Sequence, residues 1–384
     1  MKSKTIYFVA GEVSADNHAA ALMRSLREFD TDFTLIGRGG PQMRAVAGEQ
    51  FKNWIASAAV LGLWEVIRKY GYFRGQFRET LKEIEESEPD AVVLIDYPGF
   101  NLRLARALRK QSPQAKIIYY ISPQVWAWNR GRIKKMARFL DLVLCIFPFE
   151  ADLYNKSGLR AVFVGHPMVE RLRARKIDTE RDSNLIGLFP GSRLREVRKI
   201  FPVMLRSVPE LQKQNRNMRF EVGAASEELA REMRGMLDQR GQDGRAIQVK
   251  VGETAALMQC ALAGIVASGS ATLEAAYFRL PFVLIYKVAW PTYLAARLVV
   301  NVKYLGMPNV LADKEVVPEF IQHRATPDGI AKAVQRLMKD ADARDRMVSE
   351  FDTIVGKLGG GGASEKAARA VVEEIGRSRM KPAN

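Results

Sequence analysis

Cysteine and long apolar runs are scarce in this 384-residue chain, and each scarcity argues against a class of protein. Only Cys145 and Cys260 occur, which argues against a disulfide framework or a cysteine-rich zinc site and makes a reducing compartment the default. The apolar run 5–10 is too short for a signal sequence. The longest stretch without charged residues, 254–273, is broken by glycine, serine and threonine, so a helix, a strand and a polar loop explain it better than a membrane span.

Acidic residues are missing from a long part of the first half, although the chain as a whole has a formal charge of +16. Residues 97–140 contain no Asp or Glu but many Arg and Lys, which predicts a basic surface. Just upstream, 61–77 mixes aromatic and basic residues, a composition typical of a segment that rests on anionic lipid headgroups. A solvated basic face over an ordinary core helix is the alternative.

Short apolar runs alternate with segments of helical periodicity along most of the chain. Runs such as 91–96 and 142–147 are nearly all apolar, which is typical of parallel strands buried on both faces. The alternation stops in a polar interval at 170–184, which we interpret as a linker, and then resumes, so we predict two Rossmann-like α/β domains in tandem. The expected domains are 1–168, 169–358, and a glycine hinge with a C-terminal helix at 359–384.

Two segments of the second half place small residues between a strand and a helix. Gly191, Ser192 and Arg193 follow the strand 185–189, and a glycine turn at a helix start, joined by an arginine, is suited to a phosphate. An ordinary turn is the alternative.

The later segment begins after the strand 264–267. There Gly269 and Ser270 would hold a diphosphate, while Glu274 would accept hydrogen bonds from ribose hydroxyls. A simple capped helix is the alternative. Together the two segments favour a nucleotide-sugar or dinucleotide ligand.

The first half carries its candidate chemistry in carboxylates at strand ends. The three-glycine dinucleotide fingerprint is missing after the first strand, which disfavours an NAD enzyme. Glu12 and Asp16 stand there instead, in a loop suited to receiving hydroxyls or a base-activated nucleophile. Capping of the helix expected near Asn17 is the alternative. Asp96 ends the apolar strand 91–95, and partial desolvation at a strand tip would raise its pKa toward that of a general base. Capping of the next helix, near Asn101, is the alternative for Asp96.

Two further loops and one histidine are weaker candidates. The glycine-rich segment 37–41 is expected to be an open loop that lets the backbone approach either a ligand or the facing domain. The segment 122–128, with Trp126 and Trp128, is expected to present flat apolar surface, which would either bind an acyl or sugar face or fill the cleft between domains. His166 precedes a proline near the expected domain boundary, and this position indicates a structural rather than a catalytic role.

A series of motifs, spread in order over almost the whole chain, resembles the lipid-A-disaccharide synthase family, glycosyltransferase family 19. The motifs are AGEVSAD at 10–16, GRGGP at 37–41, IDYPGFN at 95–101, YISPQVWAW at 120–128, FPFE at 147–150, GHP at 165–167, PGSR at 190–193 with Glu196 and Val197, SGSATLE at 268–274 and LGMPN at 305–309. The chain departs from the family's usual pattern at Ala15 and Gly99.

The resemblance implies an inverting glycosyltransferase of GT-B architecture, with two Rossmann-like domains facing across a cleft and no metal or other cofactor. It would join UDP-2,3-diacylglucosamine to 2,3-diacylglucosamine 1-phosphate (lipid X), giving a β-1,6-linked disaccharide 1-phosphate and UDP. Asp96 is the implied catalytic base, with Glu12 and Ser14 on the acceptor side. Arg193, Glu274 and Asn309 are the implied UDP-binding residues. A cytoplasmic protein on the anionic inner-membrane surface, without nucleic acid, is expected. The sequence leaves the oligomeric state open, with a homodimer as one of the options.

Two other functions fit parts of the sequence. A UDP-sugar epimerase of the same architecture would use the same UDP site and need no lipid. A basic adaptor that binds nucleic acid or membranes would explain the charge, but it would leave both helix-start anion sites without a ligand.

Overall fold

The computed structural model describes residues 4–29, 32–49, 51–55, 70–127, 131–213, 215–241, 247–299 and 302–377. The chain divides into two compact units, which are Met1–Pro167 together with Leu358–Asn384, and Met168–Lys357. We call them unit 1 and unit 2. Each is built on one sheet of parallel strands with helices in the crossovers.

Unit 1 contains a seven-stranded parallel sheet in the order β3-β2-β1-β4-β5-β6-β7. Its strands are β1 Lys4–Ala10, β2 Phe33–Gly39, β3 Lys52–Asn53, β4 Ala91–Ile95, β5 Lys116–Tyr120, β6 Leu142–Cys145 and β7 Ala161–Phe163. Every residue of β4, β5 and β6 is buried, because helices cover both faces of the sheet. The crossover helices are α1 Val13–Glu28, α2 Pro41–Ala47, α3 Tyr70–Ser87, α4 Pro98–Gln111, α5 Arg132–Met136 and α6 Pro148–Lys156.

Unit 2 repeats this plan with six parallel strands in the order β10-β9-β8-β11-β12-β13. The strands are β8 Asp182–Phe189, β9 Arg219–Ala224, β10 Ile247–Val251, β11 Ala261–Ala267, β12 Phe282–Tyr286 and β13 Glu319–Ile321. The helices are α7 Met168–Arg173, α8 Leu194–Gln212, α9 Glu227–Asp238, α10 Thr254–Cys260, α11 Ser270–Tyr277, α12 Trp290–Val299, α13 Met307–Ala312, α14 Pro327–Lys339 and α15 Ala341–Lys357. In both units the chain order reverses beside the first strand, which is where open α/β sheets bind ligands.

The last helix, α16 Ala363–Gly376, belongs to unit 1. Its small residues, including Ala367 and Val371, pack in the same core cluster as α1. Glu374 is nearly buried and accepts a hydrogen bond from Lys116 Nζ at 3.1 Å, and Arg160 forms an ion pair with the same carboxylate. Each of these buried charges therefore has a partner, which a buried charge requires.

The predicted α/β class and its parallel sheets are confirmed, and the differences lie at short or polar elements. The polar interval 170–184 is not a plain linker, since α7 occupies its beginning and β8 starts at Asp182. The segment 37–41 is not an open loop, because β2 continues to Gly39 and α2 begins at Pro41. Among the described residues, no helix has both the length and the apolar character needed to cross a membrane. The amphipathic segment 61–77 is described only from Tyr70 onward.

Candidate active site

Asp96 lies in a strained turn at the carboxyl end of β4. Asp96 and Tyr97 have φ values of 46° and 50°, which are left-handed conformations that cost about 1–2 kcal/mol per residue for side chains other than glycine. The Asp96 carbonyl accepts hydrogen bonds from Asn101 Nδ2 at 2.8 Å and from the Tyr119 hydroxyl at 2.5 Å. Its N–H donates to Tyr120 O at 3.0 Å. The backbone on both sides of the Asp96 side chain is therefore fixed.

Asp96 does not cap the helix that follows it. The helix α4 begins at Pro98 with Tyr97 at its N-cap, and no side chain caps it. The alternative predicted from the sequence, that Asp96 caps this helix, is therefore wrong. The Asp96 carboxylate is not used to cap α4. Gly99, where the chain departs from the family pattern, faces open space in the first turn of α4.

The turn rests on the end of β1 through close aromatic packing. A Cβ atom at Gly11 would lie 2.5 Å from the Tyr97 ring, so only glycine allows this approach. Trp54 Nε1 donates to Ala10 O at 2.7 Å, and the Trp54 ring meets the Tyr97 ring edge to face, with 6.4 Å between centroids. These contacts hold the strand ends that carry Glu12 and Asp96 side by side.

The electrostatics of this pair suit a general base. Burial raises the pKa of Asp96 to about 6, with a further contribution from the negative charge of Glu12 and a smaller opposing one from the Tyr97 backbone. Glu12 is exposed at the N-cap of α1, where it makes no capping hydrogen bond, and Ser14 is exposed in the first turn. A carboxylate with a pKa near 6 is ionised at neutral pH yet basic enough to take a proton.

The second carboxylate predicted in this loop, Asp16, has a structural role instead. Helix α1 begins at Val13, not near Asn17, and Asp16 is buried within it. Asp16 Oδ1 accepts from Gly40 N at 2.9 Å and from Met43 N at 3.0 Å, and Oδ2 accepts from Gln42 N at 2.9 Å. Asp16 therefore satisfies the free N–H groups at the start of α2.

Arg38, in the segment predicted to be a loop, is a buried residue of β2. Its guanidinium donates from Nε to Glu83 Oε2 at 2.8 Å and from Nη1 to Gln76 at 2.6 Å, and Tyr7 donates to the same Glu83 oxygen at 2.6 Å. Burial raises the pKa of Glu83, but hydrogen bonds from Arg38, Lys52 and Tyr7 outweigh it and lower that pKa to about 2. The cluster connects α3 to the sheet.

The aromatic loop after β5 is packed inward rather than presented as a flat surface. Trp126 is buried, its ring meets Phe149 edge to face at 5.0 Å, and its Nε1 donates to Glu150 Oε1 at 2.9 Å. Burial raises the pKa of Glu150 to about 7, while nearby Ser122 and Trp126 lower it less. Glu150 is a supporting residue that the sequence analysis missed, although it closes the FPFE motif. Trp128, the other predicted member, lies outside the described residues.

In unit 2 the turn after β8 leads directly into the first residues of helix α8. Gly191 has a φ of 113°, and a Cβ there would lie 2.6 Å from Glu196 Oε2. Arg193 is the N-cap of α8, and its side chain is 73% exposed and lies 3.4 Å from Glu196. Ser192 is also exposed. The N–H groups and the arginine are thus arranged as an anion site requires.

A second helix start lies at the end of β11, the strand next to β8. Gly269, with a φ of 141°, is the N-cap of α11, and Ser270 is exposed beside it. Glu274 lies one turn further and is paired through Oε1 with Arg171 of α7 at 2.7 Å. The sheet therefore brings the two predicted anion sites to neighbouring strand ends.

Tyr286, at the end of the next strand, β12, was not singled out from the sequence. Burial raises the pKa of its hydroxyl, with contributions from Glu196, which raises it, and Arg193, which lowers it. Tyr286 therefore lies near the residues at the start of α8. The sequence signal was its position as the last residue of an apolar strand.

Asn309, unlike Arg193, has a side chain that is buried and hydrogen-bonded within the protein. Its side chain is fully buried: Nδ2 donates to Val317 O at 2.8 Å and to Glu319 at 2.9 Å, and Oδ1 accepts from the N–H groups of Val316 and Val317. Glu319 also accepts from the N–H groups of Leu305 and Gly306. Asn309 thus holds its loop in place, and its direct contact with UDP stays a prediction.

Comparisons with known proteins agree on a family. The family model described as lipid-A-disaccharide synthetase matches residues 6–371. The lipid-A-disaccharide synthase of Geobacter sulfurreducens is 36% identical over 383 residues, covering 98% of each chain. That of Persephonella marina is 32% identical over 383 residues, covering 96% of this chain and 99% of its own.

Solved structures show the fold. A putative UDP-N-acetylglucosamine 2-epimerase from Listeria monocytogenes has a TM-score of 0.65 at 12% identity, covering 99% of this chain and 98% of its own. The calicheamicin glycosyltransferase CalG4 has a TM-score of 0.57 at 14% identity, covering 98% and 99%.

The two parallel-sheet units and their strand-end sites define a GT-B glycosyltransferase fold. Within that class, the chain belongs to the lipid-A-disaccharide synthase family. It is a glycosyltransferase of lipid A biosynthesis.

Replacing Asp96 should stabilise the protein in a pH-dependent way. Because folding raises the pKa of Asp96 from 3.8 to about 6, the wild-type protein loses stability as pH rises through that interval. We expect Asp96→Asn to have the larger free energy of unfolding above pH 6, with a pH-dependent gain of up to about 3 kcal/mol that disappears below about pH 4. Urea unfolding at a series of pH values measures it.

The control for this measurement is Glu12→Gln, which removes only the neighbouring charge. It should give a smaller gain over the same pH interval. A difference between Asp96→Asn and wild type that does not change from pH 4 to pH 7 would show that Asp96 titrates normally.

Proposed function

We propose that this glycosyltransferase joins UDP-2,3-diacylglucosamine to 2,3-diacylglucosamine 1-phosphate with inversion at the anomeric carbon. The acceptor 6-hydroxyl loses its proton to Asp96, its oxygen bonds to the donor's anomeric carbon, and the bond from that carbon to UDP breaks. The products are the β-1,6-linked disaccharide 1-phosphate and UDP. The observation that carries the proposal is the fixed, basic carboxylate at the end of β4.

The acceptor side of the reaction is assigned to unit 1. Glu12 and Ser14 are exposed just after β1, which pairs with β4, the strand that ends beside Asp96. Val13 between them is 68% exposed, so it offers apolar surface to an acyl chain. We assign hydroxyl contacts to Glu12 and Ser14 and proton transfer to Asp96.

The UDP side is assigned to unit 2. The diphosphate would lie against Gly191, Ser192, Gly269 and Ser270, where helix starts supply N–H groups, and Arg193 would supply the positive charge. Stabilising the charge that develops on departing UDP lowers the barrier.

The ribose of UDP is assigned to Glu274. Since Arg171 occupies Oε1, the second oxygen of Glu274 is the one assigned to the ribose hydroxyls. Asn309 would support the site by fixing the loop beside it.

The lipid substrates imply a membrane surface. Both sugars carry acyl chains, and the acid-free run 97–140 is suited to the phosphate of the acceptor and to anionic headgroups. We therefore propose a cytoplasmic enzyme that acts at the inner-membrane surface. A homodimer stays a prediction.

Product analysis tests the reaction. Wild-type protein with both lipid substrates should yield the disaccharide 1-phosphate and UDP by mass spectrometry, and Asp96→Ala should lose about a hundredfold or more of the turnover while binding UDP as the wild type does. Conversion of UDP-N-acetylglucosamine to an epimer, with no disaccharide, would support the epimerase instead. Near wild-type turnover by Asp96→Ala would remove Asp96 from the role of base.

The UDP assignment predicts a difference between two neighbouring arginines. Arg193→Ala should weaken UDP binding about tenfold or more, because a charge-assisted hydrogen bond to the diphosphate is lost. Arg195→Ala, an exposed arginine in the first turn of the same helix, is the matched control and should bind normally. Titration calorimetry measures both, and equal losses would point to a general charge effect instead.

A further inference from the structure

Helix α12 of unit 2 exposes large apolar side chains. Trp290 is 56% exposed and Leu294 is 58% exposed. They are four positions apart, so they lie on the same side of the helix. Pro291 is exposed next to them. Large apolar groups exposed together mark an interaction surface more often than single ones do.

The sequence segment that carries this helix has charged residues of one sign. Residues 281–312 contain no Asp or Glu but include Lys287, Arg297 and Lys303. Arg297 is exposed on α12 and donates to the Tyr293 hydroxyl at 3.4 Å, and the Tyr293 ring meets Trp290 edge to face at 5.8 Å. Tryptophan, tyrosine, leucine and arginine on one short helix form the combination found at membrane interfaces.

The residues on both sides of α12 are hydrogen-bonded to Glu319 of β13 or to Gln322, which follows β13. Before the helix, Gln322 accepts from Val288 N at 2.7 Å and donates to Val288 O at 3.2 Å. After the helix, Glu319 accepts from the N–H groups of Leu305 and Gly306. The exposed face is therefore presented by an anchored segment.

We infer that α12 is a docking surface for an anionic lipid bilayer, with Trp290 and Leu294 entering the headgroup region and Arg297 meeting lipid phosphates. A second copy of the chain fits less well, since like-charged surfaces would meet. The helix follows β12, whose end carries Tyr286 near Arg193. Docking there would bring the UDP site to the bilayer; that link rests on the proposed function, whereas the docking itself does not.

Vesicle sedimentation of the full chain tests the apolar contribution. We expect the double variant Trp290→Ser/Leu294→Ser to partition about tenfold or more less to vesicles of phosphatidylethanolamine and phosphatidylglycerol, because partitioning scales with the apolar area buried. Ile177→Ser is the matched control, since Ile177 is another exposed apolar residue of unit 2, and it should partition as wild type does.

A charge variant tests the preference for anionic lipid. Arg297→Gln should weaken partitioning to the anionic vesicles about fivefold and leave the weaker binding to pure phosphatidylcholine vesicles unchanged. Arg231→Gln, an exposed arginine of α9, is the control. Equal losses on both vesicle types would overturn the assignment of Arg297 to lipid phosphates.

The inference is overturned if wild type does not bind the anionic vesicles, if the double variant binds them as wild type does, or if the double variant instead converts a dimer to a monomer in sedimentation velocity. UDP calorimetry on the same variants keeps the two proposals apart. A double variant that binds UDP normally but no longer binds vesicles supports docking through α12. A wild-type protein that does not bind UDP would contradict only the proposed function.

Discussion

The pair of hydrogen bonds that the Asp96 carbonyl accepts is the constraint on which the candidate site of unit 1 depends. Two successive left-handed residues would be unfavourable in a free chain, and they are kept here by hydrogen bonds from Asn101 and Tyr119 and by the packing of Tyr97 over Gly11. This turn leaves the Asp96 carboxylate partly buried beside Glu12, which keeps its pKa near 6. Burial at this turn and the charge of Glu12 are what make the carboxylate more basic than an ordinary aspartate.

Unit 2 relies on backbone geometry rather than on a buried charge. Gly191 and Gly269 both have positive φ at the point where a strand gives way to a helix, so N–H groups are presented at two neighbouring strand ends. Side chains such as Arg171 and Glu319 hold the surrounding elements by pairing with Glu274 and with backbone N–H groups. In the proposed reaction, proton transfer is assigned to unit 1 and the leaving-group charge to unit 2.

Local patterns in the sequence predicted the parallel sheets, the Asp96 strand end and both helix starts, because each is encoded within a few consecutive residues. The role of Asp16 could not be predicted, since its hydrogen-bond partners are 24 to 27 residues away along the chain. The buried positions of Arg38 and Asn309 could not be predicted for the same reason, because their hydrogen-bond partners lie outside their own elements. In the segment 37–41, the glycines allow close packing, against Phe8 at Gly37 and against Met43 at Gly39, rather than an open loop.

The pH dependence of turnover in wild type and Glu12→Gln tests the central claim most directly. If Asp96 is the base and its pKa is raised by burial and by the Glu12 charge, turnover should fall on the acid side with an apparent pKa near 6, and the variant should shift that limb to lower pH. An acid limb that lies near the ordinary aspartate pKa in wild type, or that does not move in the variant, would contradict the account.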